Sequence, residues 1–265
     1  MQRFSAFARA LVIASGIPLV VIAANVAIAT LAPTPADALS LDALASAASL
    51  ALFAVAAATL GREPIAVRLG LGAGRLSYAR VAIGALGVVA LSHAAEGILE
   101  WSGATSPGLA RFDEALAGLP LSQIGLPLFA LAIGSACGEE IFFRGLLQRG
   151  LAPRLGRSLA IALGAAAFGA AHGDLAHAAA AALLGLYLGV LADAADSIRA
   201  AIVAHALNNA LALLEVTNEL HIPEGPLVTP LAIAMSLTLA CVAIGSVRRS
   251  VGADPVLQSP PSAAD

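Results

Sequence analysis

Eight apolar segments, each near the length that crosses a bilayer, follow one another along this chain of 265 residues. A helix needs roughly 20 apolar residues to cross the hydrocarbon core. Only "GDL" separates the fifth segment from the sixth, which predicts a tight helical hairpin. The pattern predicts an all-α, polytopic membrane protein with about eight transmembrane helices, at 8–32, 39–60, 79–99, 121–143, 157–172, 175–193, 198–216 and 227–247.

The two ends of the chain differ in composition, since the first is apolar and the last is polar. The first apolar segment is longer than the 7–15 apolar residues typical of a signal peptide, so we expect it to be retained as an anchor. Residues 251–265 are rich in Pro and Ser, which predicts a disordered cytoplasmic tail. The intervening pattern predicts one membrane-embedded domain over residues 1–250.

The arginines predict the orientation of the helices. With a cytoplasmic N-terminus, the outside loops contain only Arg111. This agrees with the excess of basic residues that cytoplasmic loops carry, and it predicts that both termini are cytoplasmic. The arginines assigned to the cytoplasmic side are Arg3, Arg9, Arg62, Arg68, Arg75, Arg80, Arg149, Arg154, Arg157, Arg199, Arg248 and Arg249.

Composition agrees with a membrane location and narrows the function classes. The chain is 59% hydrophobic and 12% charged, about half the charged share of ordinary soluble domains. The net charge is −3 and the sequence has no basic run, so it lacks the features typical of a nucleic-acid-binding protein. Cys137 and Cys241 lie on different segments without disulfide or metal spacing, so both are expected to be packing residues.

The segment "GEEIFFRGLLQ", residues 138–148, places three charges in an apolar region. A charged side chain inside a span costs about 2.5–3.5 kcal/mol, so such residues are usually paired and functional. Glu140 and Arg144 are four residues apart and can form an ion pair on one helix face. Glu139 points away from that face, so it needs a partner from another helix or from water.

Two later segments carry further polar faces, with Phe168 and His172 four residues apart on one, and His205 and Asn209 four apart on the other. If these faces turn inward with Glu139, they assemble a carboxylate, two imidazoles and an amide. These are the groups of a general base, an acid–base or orienting histidine, and oxyanion donors. No Ser or Cys matches them as a nucleophile, which favours hydrolysis by a water that Glu139 deprotonates.

Each motif also has a purely structural explanation. Glu140 and Arg144 form a common helix-stabilising pair, and His172 could bond to the backbone at the "HGD" turn. His205 and Asn209 could simply connect helices, at about 0.6 kcal/mol on average. The presence of all three polar faces in one small hydrophobic chain favours a catalytic role over a purely structural one.

For the other polar residues, their positions in the sequence favour structural roles. His93, Glu96 and Glu100 could line a metal or proton site, but they precede Trp101 at a span end, which favours an interfacial location. The remaining candidates are expected to be solvated or to cap helices: Asp174, His177 and His221.

The three ordered motifs, Glu139-Glu140-x-x-x-Arg144, Phe168-x-x-x-His172 and His205-x-x-x-Asn209, resemble those of the CPBP intramembrane proteases. That family is also called Abi or type II CAAX prenyl endopeptidase. The resemblance covers about residues 121–216, the predicted protease core. The first motif alone is weak, whereas the ordered trio is fairly specific.

The resemblance implies a membrane endopeptidase with a cavity open toward the inner leaflet. It implies that Glu139 and His172 activate water, that His205 and Asn209 hold the oxyanion, and that the remaining motif residues support the site. Its substrates would be membrane-associated peptides or proteins, including CAAX-type or lipidated ones. The motif residues that would support the site are Glu140, Arg144 and Phe168. We expect the protein to lie in a bacterial inner (plasma) membrane.

The resemblance does not firmly imply a cofactor. Glu139, His172 and His205 could provide three ligands to Zn²⁺ with water as the fourth, the arrangement of many catalytic zinc sites. The same groups could work without a metal. Asn209 beside His205 favours the metal-free alternative, because it suits an oxyanion donor.

Two other function classes remain open. A non-catalytic scaffold or immunity-type interaction protein would use the polar trio to hold helices together. A small transporter would need polar residues continuing across the bilayer. The second, sixth and eighth segments contain only Asp42 and Asp193, both near segment ends, which argues against transport.

Overall fold

The computed structural model describes Ala27, residues 31–217 and residues 228–252. These residues are mostly helical and contain no strand, which confirms the all-α prediction. A 3₁₀ turn at Leu121–Gln123 precedes the longest helix. The helices are α1 (Pro35–Ala58), α2 (Ile65–Arg68), α3 (Tyr78–Ser102), α4 (Pro107–Leu116), α5 (Gly125–Leu155), α6 (Arg157–Ala170), α7 (Leu175–Ala195), α8 (Arg199–Val216) and α9 (Val228–Gly252).

Five of the described helices are long and apolar enough to cross a membrane, namely α1, α3, α5, α7 and residues Pro230–Arg249 of α9. The protein is therefore an integral, polytopic membrane protein. Most of the predicted span 8–32 lies outside the described residues, as do residues 253–265 of the predicted tail.

Two predicted spans differ from the observed helices. The segment 157–172 forms α6, which has 14 residues and is about 21 Å long at 1.5 Å per residue. That is less than the roughly 30 Å of a hydrocarbon core. The segment 198–216 forms α8, which is not among the five because its polar face lowers its hydropathy.

Helix α5 extends well beyond the predicted segment 121–143. It is 31 residues long and ends at Leu155, so the Glu-Glu/Arg motif lies inside the helix rather than at its end. Two π-helical stretches, Leu128–Gly134 and Ile141–Gln148, flank the α-helical residues Ser135–Glu140. Turns of π-helix are rare and occur frequently at functional sites. The two glutamates thus end a short regular stretch between irregular ones.

The segments between the predicted spans at 61–78 and 100–120 contain the short helices α2 and α4. Helix α4 begins at Pro107, and the hydroxyl of Ser106 accepts a hydrogen bond from the N–H of Leu109. Proline suits the first helical position, since the N–H it lacks has no partner there. The capping pattern explains why a helix forms inside a polar loop.

Small residues let the helices approach closely. Gly138 on α5 lies directly against the backbone of Ala47 on α1, and Gly169 on α6 lies against the backbone of Ala178 on α7. Glycine and alanine at such positions are typical of membrane helix interfaces. A separate core joins α3 to α7, α8 and α9, with Val88, Leu188 and Leu191 fully buried.

Gly138→Ala should destabilise the protein. The added Cβ would collide with the backbone carbonyl of Ala47, and overpacking of this kind costs about 1–3 kcal/mol. The apparent melting temperature of the detergent-solubilised protein, followed by far-ultraviolet circular dichroism, should therefore fall.

Gly150→Ala is the matched control on the same helix. A Cβ at Gly150 meets nothing within 4 Å, and alanine is favoured over glycine in a helix by about 0.8–1.0 kcal/mol. Equal melting temperatures for the two variants would contradict the close α1–α5 contact.

Candidate active site

The Glu140 carboxylate and the Arg144 guanidinium form a fully buried ion pair inside α5. Arg144 Nη1 donates to Glu140 Oε1 at 2.7 Å. Its Nη2 donates to the carbonyl oxygen of Gly185 on α7 at 3.1 Å. The guanidinium also lies 4.5 Å from the centre of the Phe168 ring on α6. The predicted pair is present, and it connects α5 to two neighbouring helices.

His205 brings α8 to the same carboxylate. Its Nδ1 lies 2.9 Å from Glu140 Oε1. A carboxylate paired with a guanidinium only accepts hydrogen bonds, so the proton of this bond is on Nδ1. This bond fixes the ring orientation and directs Nε2 toward Glu139.

Glu139 is the accessible member of the carboxylate pair. Its side chain is 22% exposed, and its Oε2 lies 3.8 Å from His205 Nε2. This distance is too long for a direct hydrogen bond, and it leaves room for one bridging polar atom such as a water oxygen. The geometry supplies Glu139 with a partner from another helix.

His172 lies just beyond the end of α6. Its Nδ1 is 2.8 Å from the carbonyl oxygen of Phe168, which is the backbone bond expected of a histidine at a helix end. Because Nδ1 donates to that carbonyl, Nε2 remains for a reacting group. The Phe168 ring lies 4.8 Å from the His172 ring and 5.7 Å from the His205 ring, measured between centroids. The Phe168 ring therefore packs on both imidazoles.

Asn209 connects α8 to the first π-helical stretch of α5. Its Nδ2 donates to the carbonyl oxygen of Leu131 at 3.1 Å. The amide nitrogen carries two N–H groups, so this bond leaves capacity for a second acceptor. Asn209 is half-buried and lies one turn after His205.

The predicted zinc ligands do not form a ready metal site. Among the described residues, no three His, Cys, Asp or Glu side chains are grouped so that they could hold an ion. The Nδ1 atoms of both histidines are bonded to Phe168 and Glu140. Each histidine keeps its Nε2 for another partner, and we derive no step through a metal.

Gln148 is a residue of this network that the sequence interpretation missed. It is buried, and its Nε2 donates to the carbonyl oxygen of Gly189 at 3.0 Å. This repeats, one turn later, the bond from Arg144 to Gly185. Gln148 follows Arg144 by four residues, the same spacing that separates Arg144 from Glu140, and this repeat was the sequence signal for its role.

The turn between α6 and α7 differs in part from expectation. Asp174 caps α7 as predicted, because its Oδ1 accepts from the His177 N–H at 2.9 Å. That bond and one from the Ser106 hydroxyl hold the pKa of Asp174 below its usual range. His177, which was expected to be solvated or capping, is half-buried with its ring centroid 4.6 Å from that of His172.

In the part of the chain that the structure describes, no hydrogen bond or ion pair joins the α3 candidates His93, Glu96 and Glu100 to this cluster. On α3, the hydroxyl of Ser92 donates to Glu96 at 3.1 Å, a contact within one helix. His221 lies outside the described residues. Cys137 and Cys241 are free thiols.

Comparison with protein-family models gives a match within the apolar part of the chain. Residues 121–211 match the model described as type II CAAX prenyl endopeptidase Rce1-like, about a third of the 265 residues. The matched segment contains Glu139, Glu140, Arg144, Phe168, His172, His205 and Asn209. Comparison with curated proteins and with solved structures gave no match.

The match begins at the residue where the predicted protease core begins and ends five residues before the predicted end. The resemblance predicted from the three motifs is thereby confirmed at the level of the family. Over residues 121–211, the chain is similar to the Rce1-like family of type II CAAX prenyl endopeptidases.

Proposed function

We propose that this protein is an intramembrane endopeptidase that hydrolyses peptide bonds by a water that Glu139 activates. One observation carries the proposal. An accessible carboxylate, that of Glu139, faces a histidine whose other ring nitrogen is fixed by a buried carboxylate. This arrangement lies inside the segment that matches the endopeptidase family.

In the proposed reaction, each side chain of the site has a role that follows from its position. Glu139 takes a proton from water while the water oxygen attacks the scissile carbonyl carbon, and His172 Nε2 orients that water. The His205 ring, protonated on both nitrogens, and the Asn209 amide donate to the resulting oxyanion. Glu139 then returns its proton to the leaving amine. Oxygens of Glu139 and Glu140 lie 3.8 Å and 2.9 Å from the two nitrogens of the His205 ring.

The proposed substrates are membrane-associated peptides or proteins, including CAAX-type or lipidated ones. The catalytic groups lie on helices of an integral membrane protein, so a substrate must reach them from the bilayer or its surface. The family description names prenyl endopeptidases, which favours substrates with a lipid-modified end. We place the protein in a bacterial inner membrane, in the orientation that the arginines predict.

A non-catalytic membrane scaffold or immunity-type interaction protein is the alternative. Specific contacts favour it, because Glu140, Arg144, His205 and Asn209 all make bonds that tie helices together. Those bonds would be useful without any catalysis. Glu139 separates the two functions, since its recorded contact at 3.8 Å is longer than a hydrogen bond.

Glu139→Gln should abolish proteolysis while preserving the fold. Loss of a general base lowers rates by about 10²–10⁴-fold. The measurement compares, by mass spectrometry, the termini of membrane peptides and proteins in cells that express wild type or variant at equal levels. Unchanged termini with a folded variant would exclude the peptidase and favour the scaffold.

Glu140→Gln is the same change one residue further along, and it should act on stability. It removes the charge that balances the buried Arg144, and breaking a buried pair costs about 3–5 kcal/mol. Its melting temperature in detergent should fall, whereas that of Glu139→Gln should stay near wild type. An equal fall for both variants would show that Glu139 is a structural member of the network.

Proteolysis should also decline toward acidic pH. A general base must be ionised to accept a proton, so activity is lost as the pH falls through the pKa of Glu139 and is regained as the pH rises. The measurement uses a substrate peptide identified from the comparison of termini, with purified protein in detergent. A rate that does not change between about pH 4 and about pH 9 would contradict the role of Glu139 as the base.

A further inference from the structure

His177 lies beside the proposed site and has no role in the reaction as described. Its ring centroid is 4.6 Å from that of His172, and the two ring planes are inclined by 67°. It lies in the first turn of α7, whereas His172 precedes that helix in the turn from α6. The two imidazoles therefore meet across the turn between α6 and α7.

His172 needs support because it does not lie on a helix. Helix α6 ends at Ala170, and Gly173 has a φ of 87°, so the chain reverses direction at His172. On one side, the ring bonds to the Phe168 carbonyl and packs on the Phe168 ring. His177 provides a second ring contact. Together the two contacts restrict the direction of Nε2.

Asp174 fixes the turn from outside. Its Oδ1 caps α7 at the N–H of His177, and its Oδ2 accepts from the Ser106 hydroxyl at 2.8 Å and the Gly108 N–H at 3.3 Å. A Cβ on Gly108 would lie 2.8 Å from Asp174 Oδ2 and 3.6 Å from His177 Nδ1. The start of α4 therefore lies directly on this turn.

We propose that His177 is a positioning residue for His172, and that Asp174 holds His177 in place by joining α7 to the start of α4. This inference rests on the proposed function, because it assigns a role through His172. The packing of the His177 ring, rather than proton transfer by its nitrogens, fixes the direction of His172 Nε2.

His177→Ala removes the supporting ring, and His177→Phe keeps a ring of similar shape without titratable nitrogens. Misplacement of a reacting group by about 1 Å costs up to about 10²-fold in rate. We expect His177→Ala to lower kcat by about 10- to 10²-fold with KM nearly unchanged, and His177→Phe to restore most of the rate. His93→Ala, a histidine change on α3 outside the cluster, should match wild type.

A second readout needs no substrate. In protein with labelled histidines, the imidazole signals of His172 in the magnetic resonance spectrum, assigned with His172→Gln, should shift or broaden in His177→Ala. They should stay near their wild-type positions in His177→Phe and His93→Ala. Ser106→Ala weakens the connection to Asp174 and should produce a smaller change in the same direction, which keeps the test available if His177→Ala does not fold.

The outcomes separate this inference from the proposed function. If Glu139→Gln is inactive but His177→Ala keeps its rate and its His172 signals, only the positioning role is wrong. If His177→Phe loses as much rate as His177→Ala, the nitrogens are required and the packing role is overturned. If Glu139→Gln retains full proteolysis, the proposed function fails, and the spectra alone decide whether His177 supports His172.

Discussion

A single oxygen, Glu140 Oε1, receives hydrogen bonds from two helices and holds the site together. Arg144 donates to it from within α5, and His205 from α8 lies at 2.9 Å. A buried carboxylate without partners would be strongly unfavourable, so these bonds constrain the register between the helices. Arg144 extends the constraint through Gly185 of α7 and the Phe168 ring of α6.

The adjacent carboxylates have different environments because they lie on different sides of one helix. Glu140 faces the helices that pack on α5 and is fully buried, whereas Glu139 keeps a partly exposed side chain. Consecutive helical residues are separated by about 100° around the axis, so the two side chains leave the helix in different directions. The same chemical group can thus serve as a structural centre at one position and stay available for a reaction at the next.

The sequence predicted the parts of this site that depend on local spacing. The four-residue separations of Glu140 and Arg144, and of His205 and Asn209, place each pair on one helix face, whereas His172 lies beyond the end of α6. Apolar length predicted an all-α membrane protein, and five described helices agree. The exact length of α5 was less predictable, since the polar residues after position 143 resemble a span end although the helix continues to Leu155.

Hydropathy and helical periodicity by themselves determined that the chain enters a membrane, that it is helical, and that three of its apolar segments carry polar residues at four-residue spacing. Only the tertiary structure decided which atoms meet. His205 lies 3.8 Å from Glu139, and the Phe168 ring packs on both imidazoles. His177 reaches His172 because the chain reverses direction at Gly173. Helical periodicity predicts which side chains share a face of one helix. Contacts between helices depend instead on the packing of small residues such as Gly138 and on turns, and neither has a repeating sequence pattern.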